Sequence, residues 1–178
     1  LSKRQYTGKD LLDDRYGRLY EIPLTLAGRG HEVLGVALSY RTRAEGWQQR
    51  QDCPRLRWYS INATPQGLLR YPSRLAKIVR SFQPDLIWAC SDAPHALIGW
   101  ALKGRLHRPL VIDLYDNFES FGVTRLPGLK SLLRAACRGA DGLTLVSHTL
   151  DDYVAANYGV TAPRMVIGNA VPENLFLP

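Results

Sequence analysis

The chain has 178 residues, of which 46% are hydrophobic and 22% charged, so its composition is that of a globular protein long enough for one α/β domain. No apolar run approaches the roughly 18 residues of a membrane span, and no signal peptide is visible at Leu1. A net charge of +7 favours nucleic acid, an anionic membrane surface or an anionic substrate as a partner without choosing among them, and a solvated basic surface is the alternative.

The usage of cysteine and histidine argues against disulfide and metal chemistry. Cys53, Cys90 and Cys137 are odd in number and form no CxxC pair, and the last two stand in apolar surroundings, as buried thiols do in a reducing cytoplasm. The four His residues cluster neither with one another nor with the cysteines at zinc-ligand spacing, so we expect no metal site. Because the sequence does not begin with Met, we expect a fragment of a longer protein.

The first half of the chain alternates polar segments with apolar periodic ones. Its opening segment contains no visible strand, and we therefore expect the first strand of the sheet to lie upstream and to be cut off or barely represented. In chain order the predicted elements are a loop (Leu1–Asp13), a helix (Asp14–Gly28), a strand (His31–Tyr40), a polar loop (Arg41–Arg55), a strand (Leu56–Ile61) and a helix (Tyr71–Phe82).

The second half continues the alternation. It predicts a doubly wound parallel sheet with helices on both faces, in one α/β domain over residues 1–168 followed by an outgoing linker over 169–178. The predicted elements are a strand (Leu86–Cys90), a helix (Ser91–Lys103), a strand (Leu110–Leu114), a helix (Leu126–Arg138), a strand (Gly142–Val146), a helix (Ser147–Tyr158) and a strand (Met165–Ile167).

The stretch Arg108–Glu119 joins a predicted strand to a cluster of polar side chains. The β-branched run within Leu110–Leu114 is typical of a buried parallel strand, and ligands of open α/β sheets bind outside the carboxyl ends of such strands. Tyr115, Asp116 and Asn117 are therefore predicted at the mouth of a cleft. The alternative is that Asp116 and Asn117 only turn the chain and cap the next helix.

Two further sets of polar residues are predicted at the same rim. Asp92 and His95 follow the preceding strand, where the histidine can contact an acceptor or a phosphate; the alternative is a surface or capping histidine. Gly8 and Lys9 lie in the loop before the first helix, which can approach a phosphate as helix N-termini and glycine-rich loops do. A single Gly-Lys pair lacks the spacing of a P-loop.

Four motifs, in order and spanning nearly the whole chain, resemble those of one family. The order and spacing resemble the N-terminal half of a GT-B glycosyltransferase of the family 4, group 1 type. The motifs are LAGRGHEV (Leu26–Val33), QPDLIWA (Gln83–Ala89), ADGLTLVSHTL (Ala140–Leu150) and VIGNAVPENLF (Val166–Phe176).

This resemblance implies one of the two Rossmann-like halves of a GT-B fold and an enzyme that moves a sugar from a nucleotide-sugar donor to an acceptor hydroxyl. It implies the acceptor-binding half, acting in bacterial glycan or glycolipid synthesis in the cytoplasm, with no cofactor beyond the donor and no nucleic-acid partner. The C-terminal half that binds most of the donor is expected to be missing from this chain, so the fragment alone is expected to be inactive. A non-catalytic Rossmann-like nucleotide-binding module is the alternative, and a GT-B epimerase is a third option.

The resemblance also implies roles for individual residues. Where the family often has His-Asp, this chain has Tyr115 and Asp116, which are the implied catalytic residues: Asp116 is expected to position the acceptor hydroxyl and Tyr115 to bind the sugar or line the cleft. Where the family often has Gly-Gly, this chain has Asp13 and Asp14, which places donor-phosphate contact from this half in question. The implied acceptor-binding residues are Asn117, Asp92 and His95, and the weaker donor-phosphate candidates are Gly8, Lys9 and Arg15.

Family members of this type often act on lipid-linked acceptors at the inner face of the bacterial plasma membrane. We therefore expect weak, salt-sensitive contact with anionic membranes. The basic residues expected to mediate it, near Leu126 and Leu129, are Arg125, Lys130, Arg134 and Arg138.

Overall fold

The computed structural model describes residues 1–6, 8–41, 45–48 and 53–169. Within these ranges the chain alternates short strands with helices. The strands are β1 (Ser2–Lys3), β2 (Gln5–Tyr6), β3 (Lys9–Asp10), β4 (Val33–Ser39), β5 (Gly46–Gln48), β6 (Leu56–Asn62), β7 (Ile87–Cys90), β8 (Leu110–Leu114), β9 (Gly142–Leu145) and β10 (Arg164–Val166). The helices are α1 (Arg18–Gly28), α2 (Pro65–Phe82), α3 (Ala93–Leu106), α4 (Leu129–Arg138) and α5 (His148–Tyr158).

One strand joins the two halves of the central sheet. The first half has the order β5-β6-β4-β1 and the second β7-β8-β9-β10, with parallel pairing except at the edge strand β5. The amino group of Leu1 donates to the carbonyl of Trp88 (2.7 Å), and the backbone N–H of Cys90 donates to the carbonyl of Leu1 (3.0 Å). The strands therefore form one sheet whose strand order reverses between β1 and β7, as in doubly wound α/β proteins.

Side chains that alternate along the strands enter two cores, one on each face of the sheet. On β4, Val36 and Leu38 belong to the larger core, whereas Ala37 belongs to the smaller one. The smaller core is closed by α1, and the larger by the other four helices. Their contributing residues include Leu75 of α2, Ala96 of α3, Leu133 of α4 and Val154 of α5. The predicted doubly wound parallel sheet with helices on both faces is confirmed.

The segment before α1 differs from its prediction as a loop. Ser2 and Lys3 form a strand of only two residues at the centre of the sheet, so the first strand is barely represented here instead of lying upstream. A small antiparallel hairpin of β2 and β3 follows. The helix begins at Arg18 instead of Asp14, because Gly17 takes the N-cap position with φ 71°. The Asp14 carboxylate instead accepts from the backbone N–H of Asp10 (2.7 Å).

Two other predicted boundaries also moved. α2 starts at Pro65, six residues before the predicted start, because the Thr64 hydroxyl caps it by accepting from the Gly67 N–H (3.2 Å). α4 starts at Leu129 after a 3₁₀ turn at Gly122–Arg125, instead of at Leu126. In the predicted polar loop, β5 forms an edge strand; residues 42–44 and 49–52 of that loop, and 170–178 of the predicted linker, lie outside the described residues.

Candidate functional site

Three central strands end at one rim, and their polar residues are joined there. The hydroxyl of Tyr115, just after β8, donates to the carbonyl of Ser91, just after β7 (2.9 Å). The ring of Tyr115 also packs against Tyr6, which follows β1, with centroids 6.1 Å apart. Because Asp92 and His95 continue directly from Ser91, the structure brings these two predicted residues to the same rim as Tyr115.

Asp92 and His95 form a tight pair at the start of α3. Asp92 Oδ1 lies 2.6 Å from His95 Nδ1 and also accepts from the His95 backbone N–H (3.1 Å), so it caps the helix and fixes the ring. Burial alone would raise the pKa of Asp92, but the hydrogen bonds from His95 and the nearby positive charge lower it below its usual value. The His95 side chain is fully buried, and its Nε2 has no hydrogen-bond partner among the described residues. The imidazole is thus held in one orientation by a charged carboxylate.

Ser91 is a rim residue that the sequence did not single out. Its backbone has φ 89°, a region that residues other than glycine rarely occupy, and such conformations concentrate at functional sites. Its hydroxyl accepts from the Lys3 backbone N–H (2.9 Å) and lies 3.3 Å from His95 Nδ1. Ser91 therefore ties together the ends of β1, β7 and β8. No residue type signals a positive φ at a serine, so no sequence pattern could have found it.

Asp116 and Asn117 occupy the turn that follows β8. Asp116 is exposed, and its Oδ1 accepts from the backbone N–H of Asn117 (2.7 Å). Asn117 Oδ1 accepts from the N–H of Glu119 (3.1 Å) and begins the 3₁₀ turn Phe118–Ser120, so the capping role considered above is observed for Asn117. Glu119 lies behind the rim, where Arg134 and Tyr153 bind its carboxylate. Asp116 therefore offers the exposed carboxylate of this turn.

The hydroxyl of Tyr115 is suited to donating a hydrogen bond. Burial is the main cause that raises its pKa above the usual value, and the carboxylate of Asp92 adds to it. The phenol therefore stays protonated at neutral pH, and its proton is directed to the Ser91 carbonyl. This favours a role for Tyr115 in shaping the cleft over proton abstraction.

The three donor-phosphate candidates lie in the segment between β1 and α1. Gly8 and Lys9 are exposed at the hairpin of β2 and β3, with φ 79° at Gly8, and Arg15 is exposed with φ 48°. The guanidinium of Arg4, buried beneath this segment, binds the carboxylates of Asp10 (2.9 Å) and Asp13 (2.8 Å). The loop is thus held on a buried cation, which the sequence alone did not indicate.

A buried ion pair lies below the rim on the α1 side of the sheet. Arg18 Nη2 donates to Asp113 Oδ1 (2.7 Å), and the hydroxyl of Thr144 donates to the same oxygen (2.6 Å). Arg18 Nη1 also donates to the carbonyl of Ile167 (2.5 Å), where the chain leaves β10. Burial raises the pKa of Asp113 above its usual value, although Arg18 opposes this. Sequence reasoning did not pair these residues, because they stand 95 positions apart.

The described part of the chain holds no group of three His, Cys, Asp or Glu side chains placed to bind a metal ion. Among the described helices, none combines the length and apolar character that crossing a bilayer requires.

Of the basic residues predicted to face a membrane, Arg134 is paired with Glu119 and Arg138 donates to the carbonyl of Tyr158. Arg125 and Lys130 are exposed.

Comparisons with known proteins agree with this architecture. A family model described as Glycosyltransferase Family 4 matches residues 18–175, and a search of curated proteins finds no match. Sucrose-phosphate synthase from Thermosynechococcus elongatus is similar with a TM-score of 0.68 at 15% identity, over 90% of this chain and 43% of that one.

Two further similar structures are complexes with nucleotide ligands. Anabaena HepE in complex with UDP-glucose has a TM-score of 0.55 at 21% identity, over 89% of this chain and 41% of that one. A structure titled "Trehalose-6-phosphate from E. coli bound with UDP-2-fluoro glucose" has a TM-score of 0.52 at 14% identity, over 88% and 41%. At these identities the likeness concerns the fold, and the chain spans about two fifths of each matched chain.

Proposed function

This chain belongs to glycosyltransferase family 4, and we propose that it forms the acceptor-binding half of an enzyme that moves a sugar from a nucleotide-sugar donor to an acceptor hydroxyl. The observation that carries the proposal is the rim where Tyr115, Asp116 and the Asp92–His95 pair meet at the carboxyl ends of adjacent strands. Ligands of open α/β sheets bind at this edge, where the strand order reverses. The complexes of the similar Anabaena protein with UDP and with UDP-glucose support a nucleotide-sugar donor.

In this proposal, Asp116 positions the acceptor hydroxyl. Sugar transfer breaks the bond between the anomeric carbon and the donor phosphate, and the carbon becomes oxocarbenium-like as the acceptor oxygen approaches. A carboxylate that holds the acceptor hydroxyl in line with that carbon lowers the barrier through orientation. Asp116 suits this role because it is exposed at the rim and its turn is fixed by the bond to Asn117.

The neighbouring residues form the rest of the acceptor side. Tyr115 stays protonated and lines the cleft, and Asn117 holds the turn that carries Asp116. The buried Asp92–His95 pair lies behind these residues, where it fixes the start of α3 and thereby supports the acceptor side of the rim. No cofactor beyond the donor is required for this chemistry.

The donor diphosphate is proposed to lie against the loop before α1. Gly8, Lys9 and Arg15 offer exposed backbone and cations there, and such groups stabilise a departing diphosphate. A separate C-terminal half, reached through residues 169–178, is proposed to hold the nucleotide. Support comes from the matched structures, of which this chain spans 38–43%.

We place the reaction in bacterial glycan or glycolipid synthesis, with a glycan or lipid-linked acceptor, in the cytoplasm or at the inner face of the plasma membrane. The test is a transfer assay with UDP-sugar donors and both acceptor classes, run on the complete protein and on these 178 residues. We expect transfer by the complete protein and none by the fragment. Absence of transfer with every donor and acceptor would reject the proposed function, and a fully active fragment would reject the division into two halves.

A further inference from the structure

Tyr16 is an exposed aromatic residue in the segment that joins β3 to α1. Its side chain is 40% exposed. It directly follows Arg15, one of the donor-phosphate candidates, and α1 begins two residues later at Arg18. Single exposed aromatic residues are common on protein surfaces, so exposure alone assigns no role. What distinguishes Tyr16 is the way in which the fold holds it.

The backbone on both sides of Tyr16 has an unusual conformation. Arg15 has φ 48° and Gly17 has φ 71°. Residues other than glycine rarely adopt a positive φ, and such conformations concentrate at functional sites. The chain therefore turns sharply around Tyr16, and this turn leaves the ring at the surface instead of in the smaller core beneath it.

The hydroxyl of Tyr6 fixes this turn from below. It donates to the carbonyl of Tyr16 (2.5 Å) and accepts from the backbone N–H of Leu19 in the first turn of α1. Burial raises the pKa of Tyr6 above its usual value, so the phenol keeps the proton that it donates. A Cβ at Gly17 would lie 2.5 Å from the same hydroxyl, and only glycine fits beside it. Tyr16 is thus presented by a packed support.

A row of aromatic rings connects Tyr16 to the rim. The ring centroids of Tyr16 and Tyr6 are 5.5 Å apart, those of Tyr6 and Tyr115 6.1 Å, and those of Tyr115 and Phe118 5.5 Å. Tyr6 and Phe118 are buried and Tyr115 is half-buried, so Tyr16 is the most exposed ring of the four. The exposed ring is therefore separated from Tyr115 by a single side chain.

An exposed, fixed phenol ring suits one face of a sugar. The hydroxyls of a hexopyranose project outward from its ring, which leaves C–H groups that form an apolar face. Such C–H groups pack on the face of an aromatic ring through dispersion and weak hydrogen bonding. Tyrosine has only two χ angles to restrict, so the contact has a small entropic cost.

We propose that Tyr16 is a specificity-determining residue that packs against the transferred sugar of the donor, an inference that rests on the proposed function. The anomeric carbon of a nucleotide sugar is bonded to the diphosphate, so the sugar lies beside whatever binds that group. Tyr16 adjoins Arg15 in the chain and Tyr115 through the ring of Tyr6. Its ring thus lies between the proposed phosphate site and the proposed acceptor site. The transferred unit is then a pyranose that is recognised by its C–H face.

Two other exposed aromatic residues allow position to be separated from residue type. Tyr40 is 47% exposed and follows β4 at the same rim, but on the side of Asp92 and Tyr71. Trp47 is 55% exposed and lies on the edge strand β5, where it pairs with Tyr59 in the middle of β6. Neither residue adjoins the segment between β3 and α1.

The experiment is isothermal titration calorimetry of the complete protein with UDP-glucose and with UDP, which lacks the sugar. Tyr16→Ala should weaken binding of UDP-glucose about five- to tenfold, from the loss of one aromatic contact, and change binding of UDP by less than about twofold. Tyr16→Phe keeps the ring and should leave both affinities within about twofold. The pair GDP-mannose and GDP tests a guanosine donor in the same way.

The controls are Tyr40→Ala and Trp47→Ala, which should leave both affinities within about twofold, with thermal melting to verify that every variant is folded. Equal losses of UDP-glucose and UDP in Tyr16→Ala would overturn the inference, as would an unchanged affinity for UDP-glucose. Either result leaves the proposed function standing, because the nucleotide still binds. Binding of no member of either pair by the unchanged protein would instead reject the nucleotide-sugar donor, and the inference with it.

Discussion

Arg18 and Asp113 face each other across the interior, with Nη2 and Oδ1 2.7 Å apart and side-chain exposures of 5% and 0%. The pair fixes the start of α1 to the strand that carries the rim. Arg18 Nε and Asp113 Oδ2 have no hydrogen-bond partner among the described residues, so the pair is only partly satisfied. Breaking such a pair leaves an uncompensated buried charge, even where replacing both partners is nearly neutral.

We therefore predict that Arg18→Met destabilises the chain by about 3–5 kcal/mol, because Asp113 loses its counter-ion. The double variant Arg18→Met/Asp113→Leu should regain much of that loss. The matched control is Arg55→Met, which removes an exposed pair with Glu32 and should change stability by less than about 1 kcal/mol. Urea unfolding at pH 7 measures all three. Equal effects at Arg18 and Arg55 would contradict the prediction.

The interaction of Glu119 with Arg134 predicts a stability that depends on pH. Hydrogen bonds from Arg134, with a further one from Tyr153, hold the pKa of Glu119 below its usual value. A carboxyl with a lowered folded pKa stabilises the fold above its unfolded pKa and loses that contribution as pH falls through the folded value. Glu119→Gln should cost about 2 kcal/mol at pH 7, and the difference from the unchanged chain should shrink below about pH 4.

Urea unfolding of both chains between pH 3 and pH 7 checks this dependence. The control Glu32→Gln removes a carboxylate from an exposed pair and should produce a small, flat difference across the range. A Glu119→Gln difference that grows at low pH would show that the sign is wrong.

Substitution by alanine is expected to have opposite effects on stability at Gly17 and Gly104. Gly17 has φ 71°, and a Cβ there would lie 2.5 Å from the Tyr6 hydroxyl, so Gly17→Ala should destabilise by about 1–3 kcal/mol. Gly104 lies within α3 with nothing within 4 Å of an added Cβ, so Gly104→Ala should stabilise by about 0.5–1 kcal/mol. Thermal melting of the two variants should shift in opposite directions; a shared direction would reject the backbone argument.

For the proposed transferase, Asp116→Ala in the complete protein should lower turnover about a hundredfold, because lost positioning of a reacting hydroxyl has an effect of that order. Its stability should change by less than about 0.5 kcal/mol, because the side chain is exposed. The control is Asp85→Ala, an exposed aspartate just before β7 at the opposite edge of the sheet. Wild-type turnover by Asp116→Ala would remove this residue from the site.

The fold was predictable where local signals and the sheet agreed. Alternating apolar segments indicated the doubly wound sheet, and the predicted helix that begins at Ser147 is indeed capped by that residue. The start of α2 was missed because Pro65 and Pro72 each suit a first turn, and only the bond from Gly67 to Thr64 distinguishes them. Hydrophobic periodicity could not predict β1 either, because a strand of two residues is too short to show a pattern. These residues form a strand only through hydrogen bonds to segments that are far away in the sequence.

For the rim, the sequence predicted which residues lie together but not how they contact one another. Parallel strands predicted that Asp92, His95 and Tyr115 would share an edge, since each follows a strand. The contacts that set their geometry depend on atoms far apart in the chain, such as the Tyr115 hydroxyl and the Ser91 carbonyl. The positive φ of Ser91 likewise follows from the assembled sheet rather than from its residue type.

The central place of β1 has a consequence for the order in which the chain assembles. The bond between Leu1 and Trp88 joins residues 87 positions apart, so the middle of the sheet closes only after β4 on one side and β7 on the other are available. A ribosome adding roughly 5–20 residues per second exposes this strand for several seconds before its second neighbour emerges. Premature pairing during that interval is the characteristic hazard of a sheet that is completed from its centre.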